Sequence, residues 1–182
     1  KPNADVEVKG DAPAIKNDAD TVKEIASSVK LTDEEKEAVK AGADIKFNIV
    51  VKDEVKAGDK ELIDTKISSL VNNGVVGKVF DITIEKQVGS NAAVKAEFNS
   101  EITLKVQVPE ELINKDDSKT RTYKIIRVHD GEVTVIDKEN CVFDEETGLI
   151  TFKTDKFSTY AIVYEDAAKT VVTPGNTDNN QP

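Results

Sequence analysis

In the stretch RTYKIIRVHDGEVTVI, residues 121–136, two apolar-rich runs meet at Asp130-Gly131. A two-residue type I′ turn needs positive φ at both central positions, and Asp-Gly is among the pairs that tolerate it best. The two runs are therefore predicted to fold back on each other as antiparallel strands. A second hairpin is read in CVFDEETGLITFKT, turning between Glu145 and Gly148, and FSTYAIVYE closes the series. Upstream, Phe80, Ile82 and Ile84 alternate with Asp81, Thr83 and Glu85. Ile102, Leu104, Val106 and Val108 alternate with Glu101, Thr103, Lys105 and Gln107 in the same way. Each segment has one dry and one wet face, the pattern of an antiparallel sheet. Between them, PEELINKDDSKT reads as one turn of helix and a polar loop.

The N-terminal half changes period. In TVKEIASSVK, Val22, Ile25, Ala26 and Val29 recur at helical spacing, and Thr21 with Glu24 has the spacing of a capping box. LTDEEKEAVKAG repeats that start with Thr32 and Glu35, places acids where the helix dipole favours them, and stops at Gly42. Ile45, Phe47, Ile49 and Val51 then mark a half-buried strand. A third helix is predicted from Gly58 or Asp59 to Asn73-Gly74, with Leu62, Ile63, Ile67, Leu70 and Val71 on one side. The first residues show only weak alternation at Val6 and Val8, punctuated by Pro2, Gly10 and Pro13. The tail TPGNTDNNQP has no apolar residue with which to offset chain entropy.

These signals predict an α+β fold: antiparallel, sandwich-like layers of seven or eight strands with about three short helices in the N-terminal half. Residues 1–17 are expected to be a linker or edge strand, 18–166 a single domain, and 167–182 a disordered linker. The chain of 182 residues is long enough for one real core. Its charged fraction of 33% against 38% hydrophobic suits thin layers with wet faces. A net charge of −10 repels phosphate backbones and anionic headgroups, so neither nucleic acid nor a membrane surface is an expected partner. No apolar run is long enough to span a bilayer, and no charged-then-apolar segment at the start of these residues resembles a signal peptide. Methionine is absent and the chain opens KPNADVEVKG, which reads as a segment of a longer protein. A single cysteine, Cys141, precludes an internal disulfide and fits either the cytosol or a thiol-avoiding Gram-positive surface protein.

Candidate chemistry is sparse. Phe157-Ser158 invites comparison with self-cleaving β-domains such as ZU5-like modules, in which a His-Phe-Ser triplet lets the hydroxyl attack the preceding carbonyl. Here Lys156 stands where the histidine would, and a protonated lysine cannot take the serine proton. His129 is the only histidine, beside the Asp130-Gly131 turn, and reads as a solvated side chain. Cys141 reads as a small buried residue. Asp116-Asp117 and Glu145-Glu146 lack the spacing that wraps calcium, so no metal or cofactor is expected. A Lys-to-Asn isopeptide crosslink needs an inward lysine, whereas Lys46 and Lys105 belong to wet faces. In the closing strand, Phe157, Thr159, Ala161 and Val163 are assigned to one face and Ser158, Tyr160, Ile162 and Tyr164 to the other. Were the second face open, Ser158, Tyr160 and Tyr164 would form a modest glycan-binding platform; the helices are expected to cover it.

The stretch YKIIRVHDGEVTVID through TGLITFKTDKFSTYAIVYED, with LTDEEKEAVKAGADIKFNIVVKD before it, resembles a β-rich module of large multi-domain surface proteins of Gram-positive Firmicutes. These segments lie within residues 31–166. The resemblance implies an extracellular, secreted or wall-attached, non-catalytic module: a structural spacer, or alternatively an adhesin-like domain recognising a host protein or glycan. It is expected to be monomeric, with the neighbouring domains of its own chain as partners.

Overall fold

A computed structural model describes residues 1–170. The fold is α+β, with three helices and two mostly antiparallel sheets. In chain order the elements are β1 (Pro2–Lys9), α1 (Ala19–Ser28), α2 (Asp33–Lys40), β2 (Ile45–Lys52), α3 (Ala57–Leu70), β3 (Val75–Val88), β4 (Val94–Lys95), β5 (Ile102–Gln107), β6 (Lys119–His129), β7 (Glu132–Val135), β8 (Cys141–Asp144), β9 (Leu149–Thr154) and β10 (Thr159–Ala168). The larger sheet runs β1-β2-β3-β10-β6-β7, with β4 also paired to β3; the smaller runs β5-β9-β8.

The Asp-Gly hairpin forms as its chemistry requires. Asp130 and Gly131 both have positive φ, at 49° and 77°, and His129 faces Glu132 across the turn. The Thr32–Glu35 capping box also forms, with both reciprocal hydrogen bonds present. The box read at Thr21 and Glu24 does not. The chain is already helical by Ala19, and the cap is Asp18, whose carboxylate accepts from the Thr21 amide at 2.8 Å. Glu24 instead accepts from the backbone and hydroxyl of Thr103.

Of the two readings of residues 1–17, linker or edge strand, the edge strand forms: β1 borders the larger sheet and pairs in parallel with β2 along its whole length, and Ile15 is buried in a bridge to Val106. The strands number ten among the described residues rather than seven or eight, because β1 and the two-residue β4 carry little periodic signal. β10 runs to Ala168, two residues past Asp166. The tail TPGNTDNNQP lies outside the described residues.

β3 organises the larger sheet. Its C-terminal half, Asp81–Val88, pairs with β2, and its N-terminal half, Val75–Asp81, pairs with β10 on the opposite side. Two cores result. One unites Phe47 and Ile49 of β2, Phe80 and Ile82 of β3, and Tyr160 and Ile162 of β10 with Leu104 of β5 and Phe152 of β9. The other lies on the reverse face, where Ile63 of α3 meets Ile126, Val128, Ala161 and Val163. At Gly77 a Cβ would stand 2.8 Å from the Leu112 side chain and 3.2 Å from the Ile162 carbonyl, so any larger residue there would make that leucine shift.

Candidate functional site

β10 is central, and both of its faces are covered. From Thr159 onward its alternation agrees with the sequence reading, but the covers are exchanged. The even face packs against the smaller sheet, and α3 covers the odd face with Ala161 and Val163. Phe157 departs from the odd face. It lies before the strand starts and makes an edge contact with Phe98 at 5.2 Å inside the first core.

No exposed platform of Ser158, Tyr160 and Tyr164 forms. Tyr160 is wholly buried, its ring lying near Phe80 and Phe152. Its hydroxyl donates to the Lys156 carbonyl and shares a hydrogen bond with Thr154 Oγ1 at 2.7 Å, and burial pushes its ionisation well up. Tyr164 is half-buried, and Arg121 stacks over its ring with the guanidinium carbon 3.9 Å from the centroid. That guanidinium is held by Asp166 through two contacts of 2.8 and 2.9 Å and by the Leu112 carbonyl. The pairing with Arg121 draws the Asp166 carboxyl below its ordinary range.

Ser158 meets a partner that the local triplet does not predict. The β6–β10 ladder pairs Thr159 with Val128, so the next residues outward, Ser158 and His129, stand side by side. Ser158 Oγ is 3.2 Å from His129 Nδ1, and His129 Nε2 is 3.3 Å from Asp130 Oδ2. The serine hydroxyl also reaches the Val128 carbonyl. Beside this trio lies a cleft of about 470 Å³, where β4 gives way to the start of β10; His129, Asp130, Lys156, Phe157, Lys30 and Lys95 are among its walls. The histidine missing from position 156 is thus replaced, in space, by one from the neighbouring strand. The long-range register brings the two together: β6 ends at His129 and β10 starts just after Ser158.

The remaining candidates are otherwise engaged. Burial raises the Cys141 thiol to about 11, which keeps it protonated. Asp116 accepts from the amide and hydroxyl of Ser118, and no group of three or more His, Cys, Asp or Glu that could hold a metal is gathered among the described residues. One strand lysine does point inward. Lys86 follows Ile82 and Ile84 on the buried face of β3 and is 8% exposed. Its ammonium meets Glu35 at 2.7 Å and the Lys30 carbonyl at 2.8 Å, with no asparagine among its partners. Desolvation pushes the Glu35 carboxyl up, but hydrogen bonds from Lys86 and the Thr32 amide outweigh it and leave the group below its ordinary value. An ionised pair of this kind is a lock between α2 and β3 rather than a reactive amide precursor. No described helix is long and apolar enough to cross a membrane. No family model matches the chain, and no curated protein or solved structure does so either.

Proposed function

We propose that this chain is a structural spacer of an extracellular, modular Gram-positive surface protein, transmitting load between neighbouring domains. The observation that carries this reading is the stagger along β3. β1 runs parallel to β2, β2 antiparallel to β3, and β3 antiparallel to β10, so β1 and β10 point the same way. Because β2 and β10 occupy successive halves of β3, the start of β1 and the end of β10 lie at opposite ends of a strand of 14 residues. At about 3.4 Å per residue, that separation is roughly 45 Å. Tension applied across the domain therefore shears the β1–β2 and β3–β10 ladders, loading many hydrogen bonds at once. The two sheets, sharing one core, are read as sandwich-like layers suited to this role. Large exposed apolar side chains are dispersed over five elements, as Val8, Leu70, Val75, Val94 and Val142, which favours a spacer over a docking surface.

Single-molecule pulling tests the reading. Handles before β1 and after β10 should give one cooperative rupture at a force well above that for handles at Gly10 and Asp53, which peel β1 from β2 bond by bond. Equal, low forces in the two geometries would remove the load-bearing role. The adhesin-like reading draws on a groove of about 680 Å³ between β6 and β8, bordered by Tyr123, Ile136, Val142 and Phe143. Binding to a glycan array or to serum proteins that is lost on Val142→Asp would favour it instead.

A further inference from the structure

The geometry points to a reactive serine on this spacer: Ser158 is an acyl acceptor for small aryl esters, with His129 as its base. Three observations meet there. Ser158 Oγ lies within hydrogen-bond reach of His129 Nδ1 at 3.2 Å. The other ring nitrogen faces Asp130 Oδ2 at 3.3 Å, which favours the tautomer protonated at Nε2 and leaves the Nδ1 lone pair toward the serine. The cleft of about 470 Å³ is walled by both of those partners and by Lys156 and Phe157, the two residues that precede the serine. The Phe98–Phe157 pair lines it with aromatic carbon, and its charged walls are balanced, with Lys30, Lys95 and Lys156 set against Glu97, Asp130 and Asp155.

In the resting state one hydroxyl proton has two acceptors, the Val128 carbonyl and His129 Nδ1. Turning the hydroxyl from the first to the second creates the serine–base pair needed for nucleophilic attack. In the acylation step, Oγ bonds to the ester carbonyl carbon as its proton passes to Nδ1. The bond from that carbon to the leaving oxygen breaks, and the departing aryloxide takes the proton from His129. The products are acyl-Ser158 and a phenol, and water attacking the acyl group, with His129 again as base, returns the free serine. Asp130 is 91% exposed, so water screens it and its contribution is orientation of the ring rather than strong electrostatic support.

The test is incubation of the folded chain with p-nitrophenyl acetate, read by phenolate release and by peptide mapping of the acetylated residue. Acetyl on Ser158 is expected, with its rate of appearance falling about a hundredfold in His129→Gln and only a few-fold in Asp130→Asn. Acetylation confined to lysines overturns the proposal, as does labelling of Ser158 at a rate indifferent to His129. The mapping on the unaltered chain decides the first point even if a variant fails to fold, and neither result bears on the pulling experiment.

Discussion

The two faces of the larger sheet are dry in different ways. Toward the smaller sheet the core is built from big side chains, Phe47, Phe80, Phe152 and Tyr160, and the Tyr160 hydroxyl is satisfied by Thr154 and the Lys156 carbonyl. Toward α3 the sheet offers Ile126, Val128, Ala161 and Val163, a shallow surface on which Ile63 is the one fully buried helix side chain. Sheet-on-sheet packing leaves room for aromatic rings between layers, whereas a helix lying close on β10 requires small residues such as Ala161. The first face thus carries most of the buried volume. α3 is a cover whose own helix start has no side-chain cap.

Truncation should reveal this asymmetry most strongly in the first core. Phe152→Ala is expected to cost about 4 kcal/mol, measured by urea denaturation, because two sheets cannot collapse onto the cavity. Ile63→Ala should cost about 3 kcal/mol. Its more telling readout is hydrogen exchange, where α3 amides should lose protection ahead of β3 and β10; uniform loss through both sheets would mean that the two faces form one cooperative unit. Glu35→Gln, which leaves Lys86 facing an amide, should cost about 2 kcal/mol by the same denaturation measurement. Acid should act in the same direction. Asp18, Glu35 and Asp166 all have folded carboxyls below their ordinary values, held chiefly by Lys105, Lys86 and Arg121 respectively. Their contribution is complete above the unfolded carboxylate range and is lost as pH falls through the folded values. Asp81 works with the opposite sign: burial raises it, so its favourable share is present at low pH and vanishes as pH rises through its folded value. Asp81→Asn should therefore stabilise the fold at neutral pH by less than about 1 kcal/mol, and a loss there would assign the charge a structural partner beyond Thr83.

What the sequence disclosed follows from range. Features settled within a few residues were legible: the Asp130-Gly131 turn, the Thr32–Glu35 box, the period-two runs of β2, β3 and β5, and the dipeptide-scale end of the second hairpin. Features settled by distant pairing were not. Val6 and Val8 carry alternation, but nothing local says that β1 will lie parallel to a strand some forty residues on, as Val6 does beside Ile49. Lys86 sits at an inward position that alternation alone identifies, yet the Glu35 carboxylate that makes burial tolerable comes from a helix far upstream. The candidate site divides the same way. The triplet Lys156-Phe157-Ser158 is local and readable, while the neighbouring His129 required knowing that β6 and β10 pair with Val128 opposite Thr159. Tyr160 and Tyr164 were placed on the right face, but which layer covered that face depended on the smaller sheet, whose strands are drawn from two separate stretches of chain.

The position of β10 bears on how the domain comes into being. β10, last in chain order among the described strands, is inserted between β3 and β6, so the larger sheet cannot close until residues 159–168 have been made. Until then β3 lacks its partner along Val75–Asp81 and β6 lacks one along most of its length, exposing two strand edges on a growing chain. Such long-range closure is slow compared with local hairpins. The surface under α3 is also incomplete before β10 adds Ala161 and Val163 to Ile126 and Val128. The arrival of β10, rather than the earlier appearance of helices, is thus the event that commits this domain to its native form.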